Sequence, residues 1–90
     1  MKIFKVKIEN RSGLHARPAS RFVQTSMKFK SNITICKNDK CVNARNILQV
    51  LTLGVDCGDE VVLKIEGEDE EKASNEILTL LTKILPEEDK

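Results

Sequence analysis

The residue best suited to do chemistry is the only histidine of the chain, His15, in the segment Gly-Leu-His-Ala-Arg-Pro-Ala-Ser at positions 13–20. The glycine permits a tight turn, and His15 directly precedes a predicted helix. Ala16 begins that helix without a side chain that could cap it, and Pro18 has no N–H. The amides of residues 16 and 17 are therefore free donors, which together with the helix dipole predict an anion site.

Arg17 adds to this site a cation that can bond phosphate oxygens in a fork. A neutral imidazole nitrogen is a nucleophile, and beside an anion site it can accept a phosphoryl group that the amides and Arg17 then stabilise. The arrangement predicts a transient phosphohistidine at His15. The plainer alternative, a surface histidine beside a solvated arginine, is left open by the spacing alone.

The elements that must position this segment follow from the spacing of apolar residues. The pattern predicts strands over 2–9, 32–37 and 40–42 and a fourth from 61 to Gly67. It predicts helices over 16–28, from 43 or 46 to 53, and from about 69 to 86. Either Asn43 or Asn46 can cap the short helix, which Gly54 ends. The last helix has a stripe that we expect to be buried and a proline that we expect to end it: Ala73, Ile77, Leu80, Leu81 and Ile84, and then Pro86.

The resulting order, β-α-β-β-α-β-α, predicts an α+β fold. Apolar strand faces need cover, so we expect an open-faced two-layer sandwich with three helices on one face of a four-stranded, mainly antiparallel sheet. With 90 residues, 40% of them hydrophobic and 32% charged, the chain is predicted to form a single domain over 1–90. No apolar run approaches the ~20 residues of a membrane span, and we expect no membrane insertion.

Cysteine and histidine usage argues against a metal site. The chain has three cysteines, Cys36, Cys41 and Cys57, with no Cys-x-x-Cys pattern, and one histidine. We expect no metal, no organic cofactor and a reducing cytoplasmic location. Cys36 and Cys41 should face each other across the Asn38-Asp39 hairpin turn on an exposed face, as reduced thiols or, alternatively, as a redox switch.

Charge is divided unevenly along the chain. Residues 1–45 hold 11 basic and two acidic residues, whereas residues 46–90 hold four basic and 12 acidic ones. We expect Arg17, Arg21 and Lys28 to form a basic rim around His15 that steers acidic protein partners, with the acids of the last helix and tail away from it. A nucleic-acid-binding domain is a competing interpretation, but the chain has no Tyr or Trp that could stack on bases.

Two separated motifs resemble one protein family. The segment 13–19 is similar to the active-site signature of HPr, the histidine-containing phosphocarrier of the bacterial phosphoenolpyruvate-dependent sugar phosphotransferase system. Residues 42–48, Val-Asn-Ala-Arg-Asn-Ile-Leu, followed by Leu53 and Gly54, resemble the second HPr signature. The length and the order of elements also match, so that the resemblance covers nearly the whole chain.

The resemblance implies a carrier that is a transferase component rather than a stand-alone enzyme, and that acts as a monomer. His15 would accept a phosphoryl group from enzyme I, through its Nδ1 atom, and pass it to IIA components of sugar permeases. Arg17 and the amides of Ala16 and Arg17 would hold the phosphate, while Ser12 and Pro18 would shape the loop. Both partners would dock on a surface of the first two helices: Arg17, Ser20, Arg21, Gln24, Met27, Ile47, Leu48 and Leu51.

One position departs from the family pattern. Many relatives have a regulatory serine at the start of the second helix, where HPr kinase phosphorylates it, and here the position is Asn46. Asparagine caps a helix as well as serine does but has no hydroxyl to phosphorylate. An HPr-like regulatory binding module without phosphotransfer remains the alternative function. His15 and Arg17 argue against it, and Asn46 argues against a module that works through serine phosphorylation.

Overall fold

The computed structural model describes residues 1–89. Its elements are β1 (Lys2–Lys7), α1 (Ala16–Ser26), β2 (Asn32–Lys37), β3 (Lys40–Asn43), α2 (Ile47–Leu53), β4 (Glu60–Glu66) and α3 (Glu70–Thr79). α3 continues through a π-helical turn (Leu80–Ile84) into a last helical turn (Leu85–Glu88), and these three segments are together called the C-terminal helix. The predicted order of elements is confirmed.

The four strands form one sheet in the order β1-β4-β2-β3, and every neighbouring pair is antiparallel. Alternation along β4 puts Val61, Leu63 and Ile65 on the covered face, where they are fully buried. Each of the three helices adds fully buried side chains to the same core, among them Phe22, Val50 and Ile77. The α+β sandwich is therefore confirmed. Within residues 1–89, no helix is long and apolar enough to cross a membrane.

The ends of α2 resolve the choice between two capping residues. Asn46 lies at the N-cap, and its side-chain oxygen accepts a hydrogen bond of 3.1 Å from the Gln49 amide. The Gln49 side chain in turn accepts a hydrogen bond of 3.1 Å from the Asn43 amide, so that it ties the end of β3 to the helix. Gly54 ends α2 in the left-handed conformation, with φ of 68°, as expected.

The prediction that Pro86 ends the last helix is wrong. The helix passes through Pro86 to Glu88, because the preceding turn widens: the Leu85 amide donates to the carbonyl of Leu80, five residues back. A π turn adds one residue, which moves the buried stripe forward. Ile84 is therefore only partly buried and Leu85 takes its place in the core.

The expectation for the cysteine pair also needs correction. Cys36 and Cys41 are directly opposed, as predicted, but they form a disulfide rather than two reduced thiols. Cys36 is buried, with 4% of its surface exposed, although it points away from the helices. The reason is its place on a central strand, where Val62 on one side and Cys41 on the other are its register partners. Cys57 is free and exposed.

Asp69 lies at the N-cap of α3, yet its carboxylate is used elsewhere. It accepts hydrogen bonds of 2.9 Å from the amides of both Lys30 and Ser31 and a further one from the Ser31 hydroxyl. The bond from the Ser31 hydroxyl, followed by that from the Lys30 amide, lowers the pKa of Asp69. The carboxylate thus joins the loop before β2 to the start of the C-terminal helix.

Asp69→Asn should lower the urea midpoint of unfolding at pH 7, because the amide accepts these hydrogen bonds less strongly than the carboxylate does. The folded pKa lies below the unfolded value of about 3.9, so the carboxylate stabilises the fold above that pH and ceases to do so as pH falls through the folded pKa. The difference in midpoint between wild type and variant should therefore shrink in acid.

Urea unfolding of both proteins between pH 7 and pH 2.5 checks this expectation. The exposed Glu68, one residue earlier, supplies the matched control Glu68→Gln. A midpoint difference that stays the same across the whole pH range would show that the carboxylate of Asp69 does not contribute in this way.

Candidate functional site

His15 occupies the N-cap of α1 with extended backbone dihedrals, and its side chain makes no capping hydrogen bond. The side chain is 42% exposed. Ala16 follows with a positive φ of 49°, which places it in the left-handed region. Among residues 1–89, the amides of Ala16 and Arg17 have no hydrogen-bond acceptor. The free donors predicted at the start of this helix are therefore present.

Gly13 sets the position of the loop that carries His15. Its φ is 61°, and a Cβ atom added there would lie 2.3 Å from the carbonyl oxygen of Val55 and 2.7 Å from the Cα of Asp56. The next amide, that of Leu14, donates to the same Val55 carbonyl at 2.9 Å. Only glycine permits this approach of two backbones. The loop before α1 is thereby held against the loop between α2 and β4.

This approach brings an unexpected partner to the histidine. Oδ1 of Asp56 lies 2.8 Å from Nε2 of His15, and the Asp56 side chain is 71% exposed. Asp56 is 41 residues away in the chain. The sequence shows Gly13 before the histidine and Asp56 in a later loop, but no pattern in it predicts that these two loops lie in contact. No other hydrogen bond to the imidazole is formed within residues 1–89, so Nδ1 is the free ring nitrogen.

The end of the chain holds the same loop from the other side. The Asp89 carboxylate accepts hydrogen bonds from the Ser12 amide at 2.7 Å, the Ser12 hydroxyl at 3.0 Å and the Asn10 side chain at 3.1 Å. The bond from the Ser12 amide is the main cause that lowers the pKa of Asp89. Ser12 thus ties the loop to Asp89, a partner that the sequence did not indicate, and its role at a bound phosphate stays a prediction.

Two acids of the C-terminal helix pair with cations of α1 and of the residues after it, which corrects the expected separation of charges. Glu88 pairs with Arg21 at 2.6 Å, and Glu76 pairs with Lys28 at 3.2 Å. Because the C-terminal helix packs along α1, two of the three cations of the expected basic rim are paired. Arg17 is exposed, and no carboxylate of residues 1–89 lies within ion-pair distance of it. Of the three cations of the expected rim, Arg17 is therefore the unpaired one, two residues after His15.

The residues predicted to hold phosphate share one cleft. A cavity of about 520 Å³ lies between the start of α1 and the end of the C-terminal helix. Its walls include Ser12, Ala16, Arg17 and Pro18, together with Arg21, Glu88 and Asp89. His15 is not part of these walls, so the cavity lies beside the imidazole. Within residues 1–89, no group of three or more His, Cys, Asp or Glu is arranged to hold a metal ion.

The residues predicted to bind partners lie on adjacent helices. α1 packs against α2, and four apolar side chains of the two helices are exposed: Met27 (63%), Ile47 (37%), Leu48 (71%) and Leu51 (37%). Ser20 and Gln24 lie one turn apart on α1, and Nε2 of the Gln24 side chain donates a hydrogen bond of 3.4 Å to the Ser20 hydroxyl. Their use in docking stays a prediction.

Comparison with known proteins gives the family of this chain. The family model described as PTS HPr component phosphorylation site matches residues 3–83. The phosphocarrier protein HPr of Buchnera aphidicola subsp. Acyrthosiphon pisum is 42% identical over 80 residues, which cover 89% of this chain and 94% of the relative. The HPr-like protein Crh of Bacillus subtilis is 44% identical over 69 residues, 77% of this chain and 81% of the relative.

Solved structures agree as well. A crystal structure of HPr from Thermoanaerobacter tengcongensis superimposes with a TM-score of 0.88 at 47% identity, covering 90% of this chain and 91% of the other. An HPr dimer from the same organism gives a TM-score of 0.75 at 45% identity over 94% of this chain and 98% of the other. The family model covers most of the chain, and these relatives share both its fold and its length. This chain therefore belongs to the HPr family of phosphotransferase-system proteins.

Proposed function

We propose that this protein is a phosphocarrier whose acceptor is His15. The observation that carries the proposal is the placement of an exposed imidazole, with Nδ1 free, directly before two unbonded amides and the unpaired Arg17. Nδ1 attacks the phosphorus of the phosphohistidine of enzyme I, the donor's N–P bond breaks, and its electron pair returns to the donor imidazole. Onward transfer to a IIA protein is the same step in reverse with a different acceptor.

The phosphate needs a neutralising environment that does not bind it too tightly. The free amides of Ala16 and Arg17 and the Arg17 guanidinium supply charge-assisted hydrogen bonds to its oxygens. These donors are at the surface, where water competes with them, which suits a group that must leave again. The names of the relatives, phosphocarrier protein HPr among them, support this assignment.

The docking surface belongs to the same proposal. α1 and α2 present exposed apolar side chains, and α1 begins with the exposed Arg17. An apolar surface combined with a cation suits transient contact with an acidic, partly apolar protein surface. Enzyme I and the IIA proteins are the proposed partners. We propose that the carrier acts as a monomer in the cytoplasm, although one of the similar HPr structures is a dimer.

The alternative is an HPr-like regulatory module that binds proteins without phosphotransfer. The likeness to the HPr-like protein Crh supports it. His15 and Arg17 favour the carrier instead, because a module without phosphotransfer needs neither the nucleophile nor the cation beside it.

Incubation with enzyme I and labelled phosphoenolpyruvate should place a phosphate on the wild-type protein that is labile in acid and stable in base. His15→Ala should remove the label, because no other histidine is present. Asp39→Asn, in the exposed β2–β3 turn, serves as a control that should label normally. An unlabelled wild type, or label that survives in His15→Ala, would overturn the phosphocarrier assignment.

Arg17→Ala should slow phosphoryl transfer from enzyme I by about tenfold or more, since it removes a charge-assisted hydrogen bond to the phosphate. Thermal unfolding should change little, because the Arg17 side chain is exposed and unpaired. Stopped-flow or quenched transfer assays measure the rate. Lys72→Ala removes the same charge from an exposed residue of α3 and should leave the rate within about twofold. Equal rates for Arg17→Ala and the wild type would contradict the role given to Arg17.

Because position 46 is an asparagine, HPr kinase should not phosphorylate the start of α2. The Asn46 oxygen already performs the capping that a serine would perform, and the residue has no hydroxyl to accept a phosphate. Incubation with kinase and ATP followed by mass spectrometry should find no acid-stable phosphate on residues 43–50. Asn46→Ser is the matched variant, which should retain the cap and gain a phosphorylation site. An acid-stable phosphate on residues 43–50 of the wild type would refute this expectation.

A further inference from the structure

We propose that Asp56 is a positioning residue for phosphoryl transfer, which holds the ring proton of His15 on Nε2 and so presents the lone pair of Nδ1 to the phosphorus. The inference rests on the proposed function, since it concerns the same histidine. Its starting point is the distance of 2.8 Å between Oδ1 of Asp56 and Nε2 of His15.

The contact selects one tautomer of the imidazole. A neutral histidine carries one N–H, on either nitrogen, whereas an ionised carboxylate can only accept hydrogen bonds. The bond between Nε2 and Asp56 therefore requires the proton to be on Nε2. Nδ1 then has its lone pair free and no partner within residues 1–89. The same contact restricts rotation of the ring.

Asp56 is held in place by its backbone, independently of its side chain. Its amide donates to Oδ2 of Asp59 at 2.8 Å, and the Asp59 amide donates back to the Asp56 carbonyl at 3.0 Å. Lys37 pairs with the Asp59 carboxylate at 2.9 Å, and Gly13 lies against the Asp56 Cα. The bond from the Asp56 amide, followed by that from Lys37, lowers the pKa of Asp59. This turn carries the Asp56 carboxylate to the imidazole before any partner arrives.

The Asp56 carboxylate also balances the charge that forms when the phosphoryl group is transferred to Nδ1. When Nδ1 forms its bond to phosphorus, the donor's N–P bond breaks and its electron pair stays with the donor. The His15 ring keeps its proton on Nε2 and becomes positively charged. Asp56 lies directly opposite that charge and stabilises it, as the acid of a catalytic triad stabilises its imidazolium. A ring that remains protonated is also the better leaving group when the phosphoryl group moves on.

Repulsion between the Asp56 carboxylate and incoming negative groups would change the rate of transfer in the opposite direction. A negative charge near the site repels an incoming phosphoryl group and an acidic partner, so its removal would speed transfer. A positioning role predicts that removal slows transfer. The direction of the change therefore separates the two, and Asp39→Asn provides the matched loss of one negative charge in an exposed turn.

The first test reads the tautomer in the unphosphorylated protein, with no partner present. The ¹⁵N chemical shifts of the His15 ring at a pH where it is neutral should show the proton on Nε2 in the wild type and in Asp39→Asn. Asp56→Asn should show a larger share of the Nδ1–H form, because the asparagine amide can also donate to Nε2. A wild type protonated mainly on Nδ1, or an unchanged ratio in Asp56→Asn, would overturn the inference.

The second test measures the rate of transfer from enzyme I. Asp56→Asn should be slower by about threefold to fivefold, the size expected for a solvent-exposed charged pair, while Asp39→Asn stays at the wild-type rate. Equal or faster transfer in Asp56→Asn would overturn the inference. Failure of the proposed function is distinguishable, because the wild type would then take up no phosphate on His15, whatever the tautomer measurement shows.

Discussion

The close approach of two backbones at Gly13 is the constraint on which the site depends. The loop before α1 and the loop after α2 touch where a Cβ atom on Gly13 would lie 2.3 Å from the Val55 carbonyl oxygen. That contact determines where the His15 side chain projects from the loop and places its ring beside Asp56. A side chain at position 13 would separate the loops and move Asp56 away from the imidazole. The position and the orientation of the His15 ring therefore both depend on Gly13.

The end of the C-terminal helix and Asp89 also hold the loop that carries His15. The Asp89 carboxylate binds Ser12, and the π turn in the C-terminal helix allows the chain to pass Pro86 and reach it. The same helix brings Glu88 to Arg21 and so neutralises part of α1. Arg17 is left as the cation beside His15. Arg17 is available to a phosphate because Arg21, the neighbouring cation on α1, is already paired with Glu88.

Local patterns were sufficient to predict the elements and much of the site. The strands, a cap at Asn43 or Asn46, the Gly54 terminus and the free amides of Ala16 and Arg17 all depend on residues close together in the chain. Asp56 and Asp89 could not be predicted, because their contacts join segments 41 and 77 residues apart. The course of the helix through Pro86 was missed because a π turn has no simple sequence signal. The buried Cys36 was missed because strand order decides which outward side chains are covered.

In the proposed carrier, Nδ1 of His15 holds the phosphoryl group while Nε2 keeps its proton against Asp56. The most direct measurement is the ¹⁵N and ³¹P NMR spectrum of the protein, labelled with ¹⁵N in its single histidine and phosphorylated by enzyme I. This account predicts phosphorus coupling to Nδ1 and a proton on Nε2. Phosphorus coupling to Nε2, or no coupling to either ring nitrogen, would contradict it.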